Sequence, residues 1–108
     1  SRRESRARWL LAEPPMGQLI VDSGAASRLK TGRASLLPIG IVRVNGEFLR
    51  GDVVRVARET GEPVAVGVAA YDAEALKKLC GKSSKEIAAL LGDSLGDEAI
   101  HRDDLALL

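Results

Sequence analysis

The sequence predicts an α+β domain that is mainly β, built from short strands that close toward a small barrel with short helices packed on them. Three observations predict it. Apolar runs have strand length: Leu19-Ile20-Val21, Ile39 to Val44, Val53 to Arg58 and Pro63 to Tyr71 all stop after a few residues. Turn residues separate them, at Asn45-Gly46, Gly51-Asp52 and Thr60-Gly61. Three brief segments of helical spacing open on Ser23, Asp72 and Ser83 and close on Gly32, Gly81 and Gly92. At 108 residues and 45% hydrophobic content the chain fits one domain with one core.

Each element has a local reason. Ser1 to Glu13 carries Arg2, Arg3, Arg6 and Arg8 ahead of Trp9, Leu10 and Leu11, and Pro14-Pro15 stops any helix there. Residues 1–15 therefore read as an interdomain linker cut from a longer chain, with 16–108 as the folded domain. The arginines read as a solvated linker face, or in the sharper reading as a nucleic-acid arm. A strand around Leu19-Ile20-Val21 leads to Ser23, a cap for a helix over Gly24 to about Thr31, with Ala25, Ala26 and Leu29 inward and Arg28 and Lys30 outward. Gly32 ends it.

From Ile39 to Val44 the pattern is a strand, and Asn45-Gly46 predicts a type I′ hairpin, since both turn positions need positive φ. Phe48 and Leu49 begin the expected return strand. In Val53 to Arg58, Val54 and Val56 share one face and Arg55 takes the other. Pro63 to Tyr71 alternates Val64, Val66 and Val68 with Ala65, Gly67 and Ala69, so one face carries bulk and the other admits close approach by a second layer. Asp72 caps a helix with Ala73, Leu76, Leu79 and Cys80 on one side. Ser83 and Glu86 form a capping box for another, with Ile87, Leu90 and Leu91 inward. Asp104 to Leu107 returns as the last strand.

Charge is uneven. Net charge is +1, yet residues 28–58 carry +5 and residues 59–108 carry −5, which predicts a polarised surface. Aromatics are only 3%, so base-stacking platforms are nearly missing, which argues against an aromatic-dependent RNA reader. Cys80 is the one cysteine, which leaves no intramolecular disulfide or cysteine-cluster metal site and reads as a buried structural thiol in a reducing compartment. No apolar run approaches the roughly 20 residues that span a bilayer. A cytoplasmic protein with no membrane partner is expected.

Motifs of chemistry resolve into simpler readings. Gly81-Lys82-Ser83 resembles the end of a phosphate-binding loop, but the position that needs the first Gly is Leu76, inside a helix. A helix stop followed by an N-cap explains all three residues. His101-Arg102-Asp103 has the letters of a protein-kinase catalytic loop without that fold's other parts. With Asp104 it makes a weak metal set, and a hydrogen-bonded structural His before the last strand is the simpler reading. With one His, no nucleophile can be paired to a second base.

Gly24-Ala25, the run Ser35-Leu36-Leu37-Pro38-x-Gly40-Ile41, Gly51-Asp52-Val53-Val54 and His101-Arg102-Asp103-Asp104 together resemble the PUA domain at the C-terminus of bacterial glutamate 5-kinases, from about Arg8 to Leu108. The resemblance implies a PUA-like pseudobarrel of short mixed strands flanked by short helices. It also implies a non-catalytic module, acting by domain contact or regulation, in an enzyme that phosphorylates L-glutamate to L-glutamyl 5-phosphate at the start of proline synthesis. No cofactor belongs to this part; ATP and Mg belong to the kinase domain outside it. The implied partners are that kinase domain, further copies in a homo-oligomer, and a structured RNA. In RNA-binding PUA domains the first helix, the glycine loop and the next strand form the RNA face. Those elements fall here on Arg28, Lys30, Gly32, Arg33, Ala34, Leu37, Pro38, Ile39 and Gly40, and the alternative for the cations is ordinary solvation or subunit contact. Trp9 and Leu10 are the candidates for contact with the kinase domain.

Overall fold

The computed structural model describes residues 2–92 and 96–108; Ser1 of the expected linker lies outside them. The elements are α1 (Arg2–Ala12), β1 (Gly17–Val21), α2 (Ser23–Leu29), β2 (Ile41–Gly46), β3 (Val53–Arg58), β4 (Pro63–Val68), α3 (Ala73–Leu79), α4 (Ser84–Leu91) and β5 (Leu105–Leu107). Short 3-10 turns at Pro38–Gly40 and Arg102–Asp104 lead into β2 and β5. Five strands form one mixed sheet in the order β2-β1-β3-β4-β5. Only β1 and β3 run parallel, with Leu19 opposite Val56; the other neighbours are antiparallel. The α+β, mainly β class expected from the sequence is the one observed.

The sheet buries both faces. On one, Leu19, Val21, Val54, Val56 and Val64 meet α2, α3 and Phe48 in the main core. On the other, Leu10 of α1 is buried with Val53, Val66 and Ala106. The segment expected as a linker is therefore a helix seated on the sheet, and Leu10 is 1% exposed. An apolar side chain of that size is driven under the helix because burial is worth about 1.5–3 kcal/mol.

Asn45-Gly46 does not make a hairpin. Asn45 pairs with Gln18 and Gly46 with Gly17, so both are the last residues of β2 against β1, and no described non-glycine residue has positive φ. Residues 47–52 then cross the end of β1 to begin β3 on its far side. The sole phenylalanine decides this path. Phe48 is buried over Gly17, where a Cβ would fall 2.4 Å from its ring. Burial of that ring outweighs a local turn preference, and the expected return strand at Phe48-Leu49 is a crossing loop. Asp52 fixes it, its Oδ2 accepting from Leu49 N–H at 2.8 Å.

Smaller corrections have equally local causes. The cap of α2 is Asp22, whose Oδ1 accepts from Ala25 N–H at 2.7 Å, so Ser23 is already helical. A carboxylate in extended backbone reaches that amide, and the helix ends at Leu29, two residues before the expected Thr31. Pro38 starts a 3-10 turn where a strand was expected, which delays β2 to Ile41. Cys80 caps α3 and is half-buried. In α4 the Ser83–Glu86 capping box forms as expected and Ile87 turns inward, but Leu90 is 63% exposed. With one face of this two-turn helix filled by Ile87, Leu90 has no core to enter.

Candidate nucleic-acid interface

The C-terminal end of α2 leads into a tight turn. Lys30 N–H donates to Ala26 O at 3.1 Å, and Gly32 N–H to Leu29 O at 3.0 Å with Gly32 at φ +78°. The left-handed turn throws Arg33 and Ala34 back along the helix. The chain then pairs with the far C-terminal segment: Leu36 N–H donates to Ile100 O at 2.9 Å, and Ala99 N–H to Leu36 O at 2.7 Å. Arg102 N–H donates to Ser35 Oγ at 2.8 Å. His101 caps the turn that follows, its Nδ1 accepting from Asp103 N–H at 3.1 Å, which is the hydrogen-bonded structural role expected of it.

A groove of about 420 Å³ results, open to solvent and walled by Arg28, Arg33, Ser35, His101, Arg102 and Glu98 over a floor that includes Ala25 and Leu36. Four of the residues expected on the RNA face, Arg28, Arg33, Ala34 and Leu37, line it. The others do not. Lys30 stands 3.8 Å from Glu62, with Arg58 at 3.4 Å from the same carboxylate. Gly32 is exposed beside the groove. Pro38 and Gly40 are buried; a Cβ on Gly40 would meet Ala25 Cβ at 2.6 Å, so this glycine lets α2 lie on the chain. Ile39 is exposed but outside the lining. Pro38 and Gly40 are thus packing residues, because the close approach of α2 consumes the surface they were expected to offer.

Sequence reasoning missed His101, Arg102 and Ser35 as members of this site. The pairing of Leu36 with Ile100 spans most of the chain, and no local pattern announces it. Three guanidinium groups, one imidazole and one hydroxyl against one carboxylate favour an anionic ligand with spaced charges, and bidentate guanidinium contact suits phosphate oxygens.

The other candidates part company. Leu10 is sealed in the domain's own second core, which removes it from any contact with another domain, whereas Trp9 beside it is 47% exposed. Arg6 is paired to Asp104 at 2.5 Å and Arg8 is exposed; the Arg2 and Arg3 side chains lie outside the description. Among the described residues no group of three or more His, Cys, Asp or Glu side chains could hold a metal ion, and no helix is long and apolar enough to cross a membrane.

A family model described as "PUA domain" matches residues 17–91, from β1 to the end of α4. This chain belongs to the PUA domain family. The PUA domain is similar along its whole length to a glutamate 5-kinase of Deinococcus radiodurans, at 47% identity over 108 residues, and it covers 30% of that protein. The chain thus spans about a third of the length of the curated relatives it matches. Among solved structures it is similar to a PUA domain from Aeropyrum pernix K1 in a tartrate complex, with TM-score 0.57 and 51% identity, covering 59% of this chain and 35% of that one. It is also similar to a chain of an archaeal box H/ACA sRNP complex, with TM-score 0.53 and 26% identity, covering 56% of this chain and 19% of that one.

Proposed function

We propose that this PUA domain is the non-catalytic part of a glutamate 5-kinase and acts on the kinase domain or its oligomer through surface contact. The similarity over all 108 residues to about a third of such an enzyme carries the reading. Phosphoryl transfer from ATP to the side-chain carboxylate of L-glutamate, with Mg, belongs in this reading to the remaining two thirds, and its setting is bacterial, cytoplasmic proline synthesis. Trp9, held outward on a helix whose other face is anchored by Leu10, is the contact residue. An exposed Trp on a rigid helix offers a large apolar area at little entropic cost. Trp9→Ala in the complete enzyme is expected to shift assembly state in sedimentation velocity, or KM for glutamate, while phosphoryl transfer persists. An unchanged sedimentation profile together with unchanged kinetics would sink the contact reading.

The groove favours a second reading, in which the domain binds structured RNA. Its support is the convergence of Arg28, Arg33 and Arg102 on one cleft, and the likeness to a chain of an sRNP complex. Binding would be directed by backbone phosphates and shape, since aromatic platforms are scarce. Fluorescence anisotropy with a folded RNA hairpin should show affinity falling with salt. Each Arg→Ala change at these positions should flatten the log–log salt slope by about one. Retained affinity in the triple variant excludes the groove as the site.

A further inference from the structure

Away from the groove lining, an ion pair joins α1 to the far C-terminal turn. Arg6 Nη2 on α1 stands 2.5 Å from Asp104 Oδ1. One turn further along α1, Leu10 is buried with Val53, Val66 and Ala106. Asp104 closes the 3-10 turn over Arg102–Asp104, donating its N–H to His101 O at 2.8 Å. That turn is pressed on β4: a Cβ on Gly67 would fall 2.8 Å from Asp104 O. At the turn's other end Arg102 N–H is held by Ser35 Oγ at 2.8 Å, and Ser35, His101 and Arg102 all line the groove. The same three-residue turn is therefore gripped by α1 at its last residue and forms groove wall at its first.

We infer that α1 is a lever coupled to the basic groove, so that seating α1 on the sheet fixes the Arg102–Asp104 turn and with it the spacing of the groove's cations. Coupling of this kind is reciprocal: a ligand that orders the groove also favours the seated helix. α1 suits a two-state element. Among the described residues, Leu10 with Ala7 packed beside it and one partly exposed ion pair hold it, and Pro14-Pro15 separates it from β1. The inference goes beyond the binding roles proposed above and rests on them only for the identity of the groove's ligand. In a parent enzyme whose kinase domain precedes this one, α1 is the covalent path by which that domain reaches the groove.

Amide hydrogen exchange of the ligand-free chain tests the coupling without any ligand, so its failure leaves the RNA reading standing. Arg6→Gln and Leu10→Ser are each expected to speed exchange at Arg102 N–H by about fivefold or more, the lower end of ordinary coupling between sites. Exchange at Cys80 N–H, bonded to Leu76 O in α3, should stay unchanged. If Leu10→Ser loosens the whole domain, the surface variant Arg6→Gln decides alone. Unchanged exchange at Arg102 in Arg6→Gln, or equal acceleration at Cys80, would overturn the inference.

Discussion

Tyr71 is the one tyrosine of the chain, and its hydroxyl donates to Gly96 O. Burial raises its pKa above 10.0, Asp97 raises it further, and Arg50 opposes them. The folded state therefore favours the neutral phenol. This contribution to stability is present below the unfolded pKa and is lost as pH rises through the folded one. Ultraviolet titration should give one tyrosine transition with a midpoint above that of a free phenol, returning to the ordinary value on unfolding. Gly17, Gly40 and Gly67 carry the tightest contacts at this scale. Gly67→Ala places a methyl 2.7 Å from Ile100 Cγ2 and 2.8 Å from Asp104 O. It should cost about 1–3 kcal/mol in denaturant unfolding, the usual range for overpacking. Neither close approach was assigned to its partner from the sequence, although the small face of Pro63 to Tyr71 was legible as a place of approach. What approaches is the backbone of a residue nearly forty positions later, which no local pattern contains.

Helix ends were among the more legible features, and the misread start of α2 has its own test. Asp22→Ala should cost about 1 kcal/mol and Ser23→Ala much less, by thermal or urea unfolding, because only the Asp22 carboxylate receives an amide of α2. At α4 both halves of the capping box form, Glu86 N–H to Ser83 Oγ at 3.2 Å and Ser83 N–H to Glu86 Oε1 at 3.1 Å. The bond from the Ser83 backbone, then that with its side chain, lowers the Glu86 pKa below 4.5. A depressed carboxylate contributes stability above its unfolded pKa and loses it as pH falls through the folded one. α4 should accordingly fray below about pH 4.5, read as loss of amide protection at Ile87, and Glu86→Gln should remove that acid dependence. Strand positions were legible in β1, β3, β4 and β5, where apolar runs, alternation and Thr60-Gly61 speak locally. The Asn45-Gly46 hairpin was not, because the strand that neighbours β2 is β1. Pairing between strands is settled by what the whole sheet buries, here Phe48 over Gly17, and a two-residue turn signal knows nothing of it.

At the scale of the molecule, the sheet separates two apolar layers. One holds α2 and α3, and among the described residues the other holds Leu10 and Ala7 of α1. The basic half of the sequence and the late His101-Arg102 run meet only because Leu36 bridges Ile100, so half of the groove was legible as a charge cluster and the other half needed the fold. The resemblance of Ser35 to Ile41 and of His101 to Asp104 to a known family acquires a physical meaning here: the two runs are hydrogen-bonded to each other. In the proposed reading the domain holds and positions, and phosphoryl transfer is carried elsewhere in a parent enzyme. The most direct measurement is ATP-dependent phosphorylation of L-glutamate, assayed side by side for the 108-residue chain, the complete parent protein and the parent lacking residues 17–108 of this chain. Turnover is expected in the complete and the shortened parent and none in the isolated chain. Phosphorylation by the isolated chain, or a complete parent inert toward glutamate, would contradict the proposed function.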